Sequence, residues 1–564
     1  MPSSEDKAKT FRARHFPATH NTPSRDASPA RQSTGLPSAL VYVLIFIGVY
    51  AAHLPLLSLP YFWDEAGYYV PAARDLLLGG SLIPHSTLSN AHPPLVMAYL
   101  ALWWKLLGYH IVVTRSAMLS VAAFGLTGLF RLARRIANEE VAIASVLCTA
   151  LYSVFFAQSS LAHVDLAAAA FTFWALCSYV EERRMATACW FSLAALAKET
   201  AILAPLALFL WEVSCRLLSR KNRSGSPCLA RSGPSLHLLL PLGPLALWYG
   251  YHYLRTGYVF GNPEFFRYNV QSTLSPVRIA LALGLRLWQT FGYMQLGLLT
   301  LAMLFAMWRP ALRDQRGERP RISVPVQLSF LAVVGAYVFA MSFIGGAVLA
   351  RYVLPAVPLV IIVAISTLWR RVHYWWAVVL IVALAFVAAL FRNPPYGFSI
   401  EDNLAYRDYV ILHEDAEQFL EVRYPSSRVL TAWPASDEIT RPYLGYVRRP
   451  LRVLRIEDFS VDEIMSAADL RSQFDVALLF STKYEPPRPL LERWGAWERL
   501  KTRFFGFHRD LPPAAAAQLL GGEAIFQERR EGQWIAIIEI ARVQEAGSSA
   551  PCPPRSSLHY LAIK

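Results

Sequence analysis

The chain has 564 residues, 55% of them hydrophobic and 17% charged, with a mean hydropathy of +0.32. That composition excludes an ordinary soluble enzyme and describes a polytopic membrane protein. The formal charge of +14 does not point to nucleic acid. Its basic residues sit in short clusters between apolar runs, as in loops facing anionic lipid, and no zinc-finger or basic-helix reader is visible.

In chain order, residues 1–37 are rich in Ser, Pro, Arg and Thr and are expected to be a disordered cytoplasmic tail. They are too long and polar for a signal-peptide n-region, so the first apolar run, 38–58, is read as an uncleaved anchor. Directly after it comes Tyr61-Phe62-Trp63-Asp64-Glu65-Ala66-Gly67-Tyr68-Tyr69. Taken alone, this is an aromatic belt with a solvated acidic pair. A functional reading needs a cation, a metal or a proton as partner to the carboxylates.

Further apolar segments are expected at 111–132, 140–158, 166–181, 186–197, 200–218, 236–254, 284–308, 324–345, 352–369 and 374–391. A fifteen-residue run, 93–107, begins with two prolines and contains Lys105. It falls short of the roughly 20 residues a span needs. Charge settles its placement. If 93–107 lies at the interface, the clusters Arg131/Arg134/Arg135, Arg183/Arg184, Arg216/Arg220/Lys221/Arg223, Arg309/Arg313/Arg316 and Arg370/Arg371 all face the cytoplasm, as the positive-inside rule requires. The same rule splits 186–218 into two spans meeting at Lys198-Glu199. About eleven spans result, with the N-terminus inside and residues 392–564 outside. This last region reads as a small α/β domain, with helical patterns at 410–423 and 461–472 and strand patterns at 428–433, 476–481 and 534–540. None of the six cysteines forms a Cys-x-x-Cys pair, so neither a zinc site nor a disulfide framework is indicated.

This topology gathers unusual polar residues at the outer face: Asp64 and Glu65, His92 before Pro93-Pro94, His163 and Asp165, Lys198-Glu199, and Arg351-Tyr352. Arg255, Glu264 and Arg267 fall on the same side, and Arg255 and Arg267 read as ordinary loop charges. Each of the others has a plain alternative. Lys198 and Arg351 are the kind of residue that snorkels to headgroups. His92 and Asp165 stand where helix caps stand. Together they suit an anionic group at the lipid boundary, with cations holding a phosphate and a carboxylate taking a proton from a nucleophile.

The ordered motifs are Asp64-Glu65 with Tyr68-Tyr69, Ala73-Arg74-Asp75-Leu76, Gly79-Gly80, His92-Pro93-Pro94-Leu95, Ser160-Leu161-Ala162-His163-Val164-Asp165, Ala197-Lys198-Glu199 and Arg351-Tyr352-Val353-Leu354-Pro355. Over residues 38–391 the chain resembles the lipid-carrier-dependent glycosyltransferases of the GT-C superfamily. The nearest likeness is to the bacterial branch related to protein O-mannosyltransferases and the lipid A aminoarabinose transferase. The resemblance implies a mainly α, GT-C-like membrane bundle with a juxtamembrane first outer loop. It implies an inner-membrane enzyme whose donor is a polyprenyl-phosphate-linked sugar and whose acceptor is an extracytoplasmic lipid, glycan or protein. It makes Asp64 the catalytic residue or its neighbour and sets Asp165 in the site. Glu65 and Asp165 are then expected to shape the sugar site or hold a divalent metal. His92, His163, Lys198, Glu199, Arg351 and Tyr352 are expected to bind substrate, with Lys198 and Arg351 on the carrier phosphate. The aminoarabinose branch carries Lys where this chain has His92, which leaves the donor sugar open. The rival readings are a transporter or flippase, which needs facing half-helices and ionisable groups at mid-membrane, and a non-enzymatic assembly or sensor protein.

Overall fold

A computed structural model describes residues 37–221, 235–315, 317–486 and 494–541. The tail expected over 1–37 falls, except for Pro37, outside the described residues, as do Arg223 and Arg316 of the basic clusters. The membrane part is a succession of helices: α1 (Ser38–His53), α2 (Val70–Gly79), α3 (Leu95–Leu107), α4 (Ile111–Ile136), α5 (Glu139–Leu151), α6 (Ser153–Ser160), α7 (Val164–Val180), α8 (Arg184–Ala197), α9 (Leu203–Lys221), α10 (Leu242–Thr256), α11 (Pro263–Asn269), α12 (Pro276–Phe291) and α13 (Leu296–Met307). A two-residue hairpin, β1 (Arg313–Asp314) and β2 (Gly317–Glu318), precedes α14 (Val324–Phe343), α15 (Val357–Arg371) and α16 (Trp375–Phe391). Among the described residues, five helical segments are long and apolar enough to cross a membrane, or six if the α5–α6 pair, bent by 69°, is one span. With the shorter apolar helices among them, this is a multi-pass membrane protein.

All eleven apolar segments expected from the sequence are helical. The break expected at Lys198 is present: α8 ends at Ala197, and Lys198 is extended before a 3₁₀ turn, Glu199–Ile202. The segment expected at 284–308 differs. Its helix begins at Pro276 and is interrupted where Met294 and Gln295 take φ of 46° and 68°, a left-handed step that ends α-helical hydrogen bonding. α3 is a separate thirteen-residue helix with Lys105 exposed, short of a span. Where α4 crosses α7, a Cβ on Gly125 would lie 2.8 Å from that of Ala170. Small residues there let the two backbones meet without side chains between them. Cys215 is disulfide-bonded, where the sequence had indicated no bridge.

After α16 the chain forms α17 (Ala405–Arg423), β3 (Arg428–Ala432), α18 (Ala435–Glu438), β4 (Arg452–Ile456), α19 (Val461–Ala468), β5 (Val476–Phe480), α20 (Gly495–Phe505), α21 (Pro513–Leu520), β6 (Gly522–Arg530) and β7 (Gln533–Ile540). The sheet order is β4-β3-β5-β7-β6. β3 runs parallel to β4 and β5, and β7 pairs antiparallel with β5 and β6. The three expected strands are the inner ones, β3, β5 and β7. The sequence reading missed β4 and β6, because edge strands facing water carry charges rather than apolar runs. This sheet region is sewn to the first loop of the membrane part. Tyr446 Oη donates to the Tyr61 carbonyl (3.1 Å), Tyr109 Oη to that of Tyr443 (2.9 Å) and Arg441 to that of Ser86 (2.8 Å).

Candidate active site

The first loop sets the site. Trp63 takes φ of 44°, and Asp64 opens a π-helical turn, Glu65–Tyr69, that runs into α2. Successive side chains on a helical turn diverge by roughly a quarter turn or more, so the adjacent carboxylates face different surroundings. Asp64, with a side chain 30% exposed, faces a cavity of about 960 Å³. Glu65 is wholly buried. Its Oε1 accepts from Arg115 Nη1 (2.5 Å) and the Ala162 amide (2.5 Å), and its Oε2 accepts from the Phe62 amide (2.8 Å). Arg115, from the first turns of α4, also donates to the carbonyls of Leu59, Pro60 and Ser160. The pair ties the first loop, α4 and the turn before α7 together.

On the cavity side the centre is Arg351, in the 3₁₀ turn before α15. Its Nη2 pairs with Asp64 Oδ2. Nη1 donates to Glu401 Oε2 (2.6 Å), and Nε lies 3.4 Å from Asp165 Oδ2. Asp165, in the first turn of α7, caps nothing; its Oδ1 accepts from Lys198 Nζ at 2.5 Å. Lys198 Nζ also stands 4.1 Å over the Tyr352 ring. Neither cation snorkels to the surface, because both are buried and paired. Nor does His92 cap α3: its Nδ1 is 2.9 Å from Glu199 Oε2. His163 Nδ1 sits 2.7 Å from Gln158 Oε1 and 2.9 Å from Arg351 Nη1. Burial first, and then the positive charge of Arg351, pushes its pKa well below the ordinary value, so the ring is neutral.

The sequence-expected residues therefore fall into two layers. Asp64, His92, Lys198, Glu199, Arg351 and Tyr352 line the cavity, while Glu65, His163 and Asp165 stand behind its wall. Glu65 and Asp165 face different cations and form no shared metal cluster among the described residues. Arg255, Glu264 and Arg267 are exposed but lie on helices rather than loops, Arg255 in the last turn of α10 and the other two in α11.

Sequence reasoning missed several contributors. Glu401 and Asp402 follow the last apolar run. Burial pushes their pKa values up, to about 8 for Glu401 and about 7 for Asp402, although Arg351 acts to lower the first and a hydrogen bond from Tyr293 Oη the second. Charge balance gives the upward direction its sense: Asp64, Asp165, Glu401 and Asp402, four carboxylates, share three nearby cations, Arg351, Lys198 and Arg286. Trp433 and Lys483 reach the same cavity from the sheet region. Arg278 and Arg286 of α12 donate to the carbonyls of Gly345, Gly346 and Leu349 and hold the loop leading to Arg351. Arg115 and Arg286 did carry a signal, since each is an arginine set within an apolar stretch of its helix.

Residues 91–247 match the sequence profile of the family described as dolichyl-phosphate-mannose-protein mannosyltransferase. The whole structure is similar to that of ArnT from Cupriavidus metallidurans bound to undecaprenyl phosphate, with a TM-score of 0.51 and 13% identity over 88% of this chain and 97% of that one. The chain has the GT-C fold. The apo state of the same ArnT gives a TM-score of 0.49 at 14% identity, over 89% of this chain and 98% of that one. The Archaeoglobus fulgidus oligosaccharyltransferase, in complex with zinc and sulfate, gives 0.43 at 12% identity, over 88% and 72%. No curated protein sequence matches the chain. The GT-C likeness drawn from the ordered motifs thus agrees with the fold, and the profile match spans three of those motifs, from His92-Pro93-Pro94-Leu95 to Ala197-Lys198-Glu199.

Proposed function

We propose that the protein is a glycosyltransferase that moves a sugar from a polyprenyl-phosphate-linked donor to a lipid, glycan or protein acceptor on the extracytoplasmic side of a bacterial-type inner membrane. The observation that carries this reading is a carboxylate, Asp64, and two buried cations, Arg351 and Lys198, on the wall of one largely apolar cavity. The cavity's size falls in the range that accommodates a small-molecule substrate. The carrier phosphate would bind Arg351 and Lys198, with His92 at its edge, and compete with Asp64 for the guanidinium. Asp64, released from its partner, would accept the proton of the acceptor hydroxyl as that oxygen bonds to the sugar's anomeric carbon. The bond from that carbon to the phosphate breaks, and its electron pair leaves on the carrier phosphate, where the cations stabilise it. Single displacement with inversion follows from one such step. Glu65 and His163 act as positioning residues, and Asp165 fixes Lys198 and Arg351.

Orientation is supported by the helices themselves. α4 carries Arg115 at its start and Arg131, Arg134 and Arg135 at its end; α8 begins beside Arg183 and ends before Lys198; α15 follows Arg351 and ends in Arg370-Arg371. Cavity residues and basic clusters thus occupy opposite ends, and the positive-inside rule sets the basic end in the cytoplasm. The described residues of the C-terminal region that line the cavity, Trp433 and Lys483 among them, then roof it from outside. A transporter reading gains nothing here, since the one bent helix pair has no counterpart among the described residues.

The test is purified protein with a panel of labelled polyprenyl-phosphate sugars, comparing wild type with Asp64→Asn. The expected outcome is consumption of a donor by wild type and a loss on the order of 10²–10⁴-fold in the variant. Equal rates would remove Asp64 as the base, and no consumption of any donor would favour transport. Cysteine accessibility at Lys105 and Arg134 checks orientation, which fails if Arg134 is reached from outside.

A further inference from the structure

Among the described residues, one cluster outside the cavity has the spacing of metal ligands: His413, Glu417 and Glu438. His413 and Glu417 lie four residues apart on one face of α17, and Glu438 ends the short α18 that follows β3. All three are buried, at 1%, 0% and 0% exposure. His413 Nδ1 is 2.7 Å from Glu438 Oε2 and 3.4 Å from Glu417 Oε1, the latter without hydrogen-bond geometry. Both oxygens of Glu417, Oε1 of Glu438 and Nε2 of His413 have no hydrogen-bond partner. Among the described residues no lysine or arginine forms an ion pair with these carboxylates, and the imidazole is stacked on Tyr409 (ring centroids 4.0 Å apart) and edged by Phe480 (4.5 Å) and Tyr446 (6.4 Å).

Two carboxylates in an aromatic pocket with neither lysine nor arginine paired to them are costly to bury. A divalent ion removes that cost, because two carboxylates and a neutral imidazole balance its charge. One nitrogen and up to four oxygens form a borderline-hard donor set, which suits zinc or manganese rather than a thiolate-seeking ion. Bonds of about 2.0–2.2 Å to a tetrahedral ion set neighbouring donors about 3.4 Å apart, the spacing already present between His413 and Glu417, while the shorter 2.7 Å contact of His413 with Glu438 would open on binding. We propose that His413, Glu417 and Glu438 bind a structural divalent transition-metal ion of the zinc class.

None of the three residues lines the cavity, so the ion's effect is mechanical. It clamps α17 to α18 just beyond Trp433, whose indole lies so close over Gly67 that a Cβ there would meet it at 2.6 Å. Tyr409, on the same helix as His413, packs against Phe62 and Trp63. The ion thereby fixes the aromatic wall facing Asp64.

The experiment is elemental analysis of untagged full-length protein in lipid nanodiscs, as purified and after dialysis against zinc sulfate. It includes Glu417→Gln, Glu438→Gln and, as a control for metal in the cavity, His92→Ala. The expected result is about one ion per wild-type chain, lost in both glutamine variants and retained in His92→Ala. A chelator should lower the melting temperature of wild type and leave Glu417→Gln unmoved. Should the glutamine variants misfold, X-ray absorption at the metal edge of wild type must show nitrogen and oxygen ligands with one imidazole. A wild-type content below roughly a tenth of an ion per chain after dialysis, or equal content in wild type and Glu417→Gln, overturns the proposal. The first of these leaves the cluster holding a shared proton, and the second puts the metal elsewhere.

Discussion

Two arginines from the same face of the bundle hold adjacent carboxylates of the first loop, and their surroundings are opposite in kind. Around Arg115 one guanidinium meets one carboxylate, and every Glu65 oxygen has a donor. Around Arg351 one guanidinium serves Asp64, Asp165 and Glu401, with Asp402 near by. There Arg351 Nε, Asp165 Oδ2, Glu401 Oε1 and Asp402 Oδ1 lack hydrogen-bond partners. A balanced, fully bonded pair has no capacity for a ligand and acts as a structural bolt. A crowded one has unmet hydrogen-bonding capacity and a cavity beside it, and such places are where substrates bind.

The largest effect that could break this contrast is on stability. Glu65→Gln keeps the shape but leaves Arg115 charged and buried without its counter-ion, so a loss of about 3–5 kcal/mol is expected in chemical or thermal unfolding. Asp64→Asn removes charge from a cluster with a surplus of carboxylates, and should shift stability by no more than about 1 kcal/mol while abolishing most activity. Comparable destabilisation by the two variants would show that both clusters are structural.

A second, smaller effect sharpens the contrast through geometry. Lysine keeps the positive charge of an arginine but not its planar fork of donors. Arg351→Lys is expected to lower donor turnover on the order of 10²–10³-fold, the usual cost of losing a stabilising donor at a developing anion. The protein should fold well enough to be purified and assayed. Arg115→Lys, which forfeits most of four hydrogen bonds in a closed pocket, should instead lower the yield of folded protein. Normal turnover in Arg351→Lys would remove phosphate binding from that residue.

The contrast was only half legible in the sequence. Helices, the break at Lys198 and the convergence of Asp64, His92, Lys198 and Arg351 could be read because they rest on hydropathy, chain direction and the sign of loop charges, all local properties. Glu65 read as the twin of Asp64, since nothing local says which of two adjacent carboxylates turns inward; that depends on Arg115, fifty residues on. Glu401 and Asp402 were missed for the same reason, their partners lying in the 3₁₀ turn before α15 and on the break between α12 and α13. The sheet region showed its inner strands and hid the charged edges β4 and β6. Its residues Trp433 and Lys483 join the cavity by tertiary docking alone.

A further expected effect lies in the pH dependence of stability, and it tests whether the Arg351 cluster holds surplus negative charge. Burial raises the pKa of Glu401 to about 8 against the pull of Arg351, well above the ordinary glutamate value of about 4.3. Between those values the folded protein binds more protons at this site than the unfolded chain does. The slope of unfolding free energy with pH is therefore negative, so this site's contribution falls as pH rises from about 4.3 and levels off above the folded value. Below the lower value both states are protonated and the contribution is flat. In Glu401→Gln this component is absent, and melting temperatures measured at intervals from pH 5 to 9 should fall less steeply than those of wild type. Asp402, raised to about 7 by burial, is present in both proteins, so the difference between the two curves isolates Glu401. If wild type instead gains stability relative to the variant as pH rises, Glu401 is a fully ionised partner of Arg351, and the cluster is as balanced as the one around Arg115.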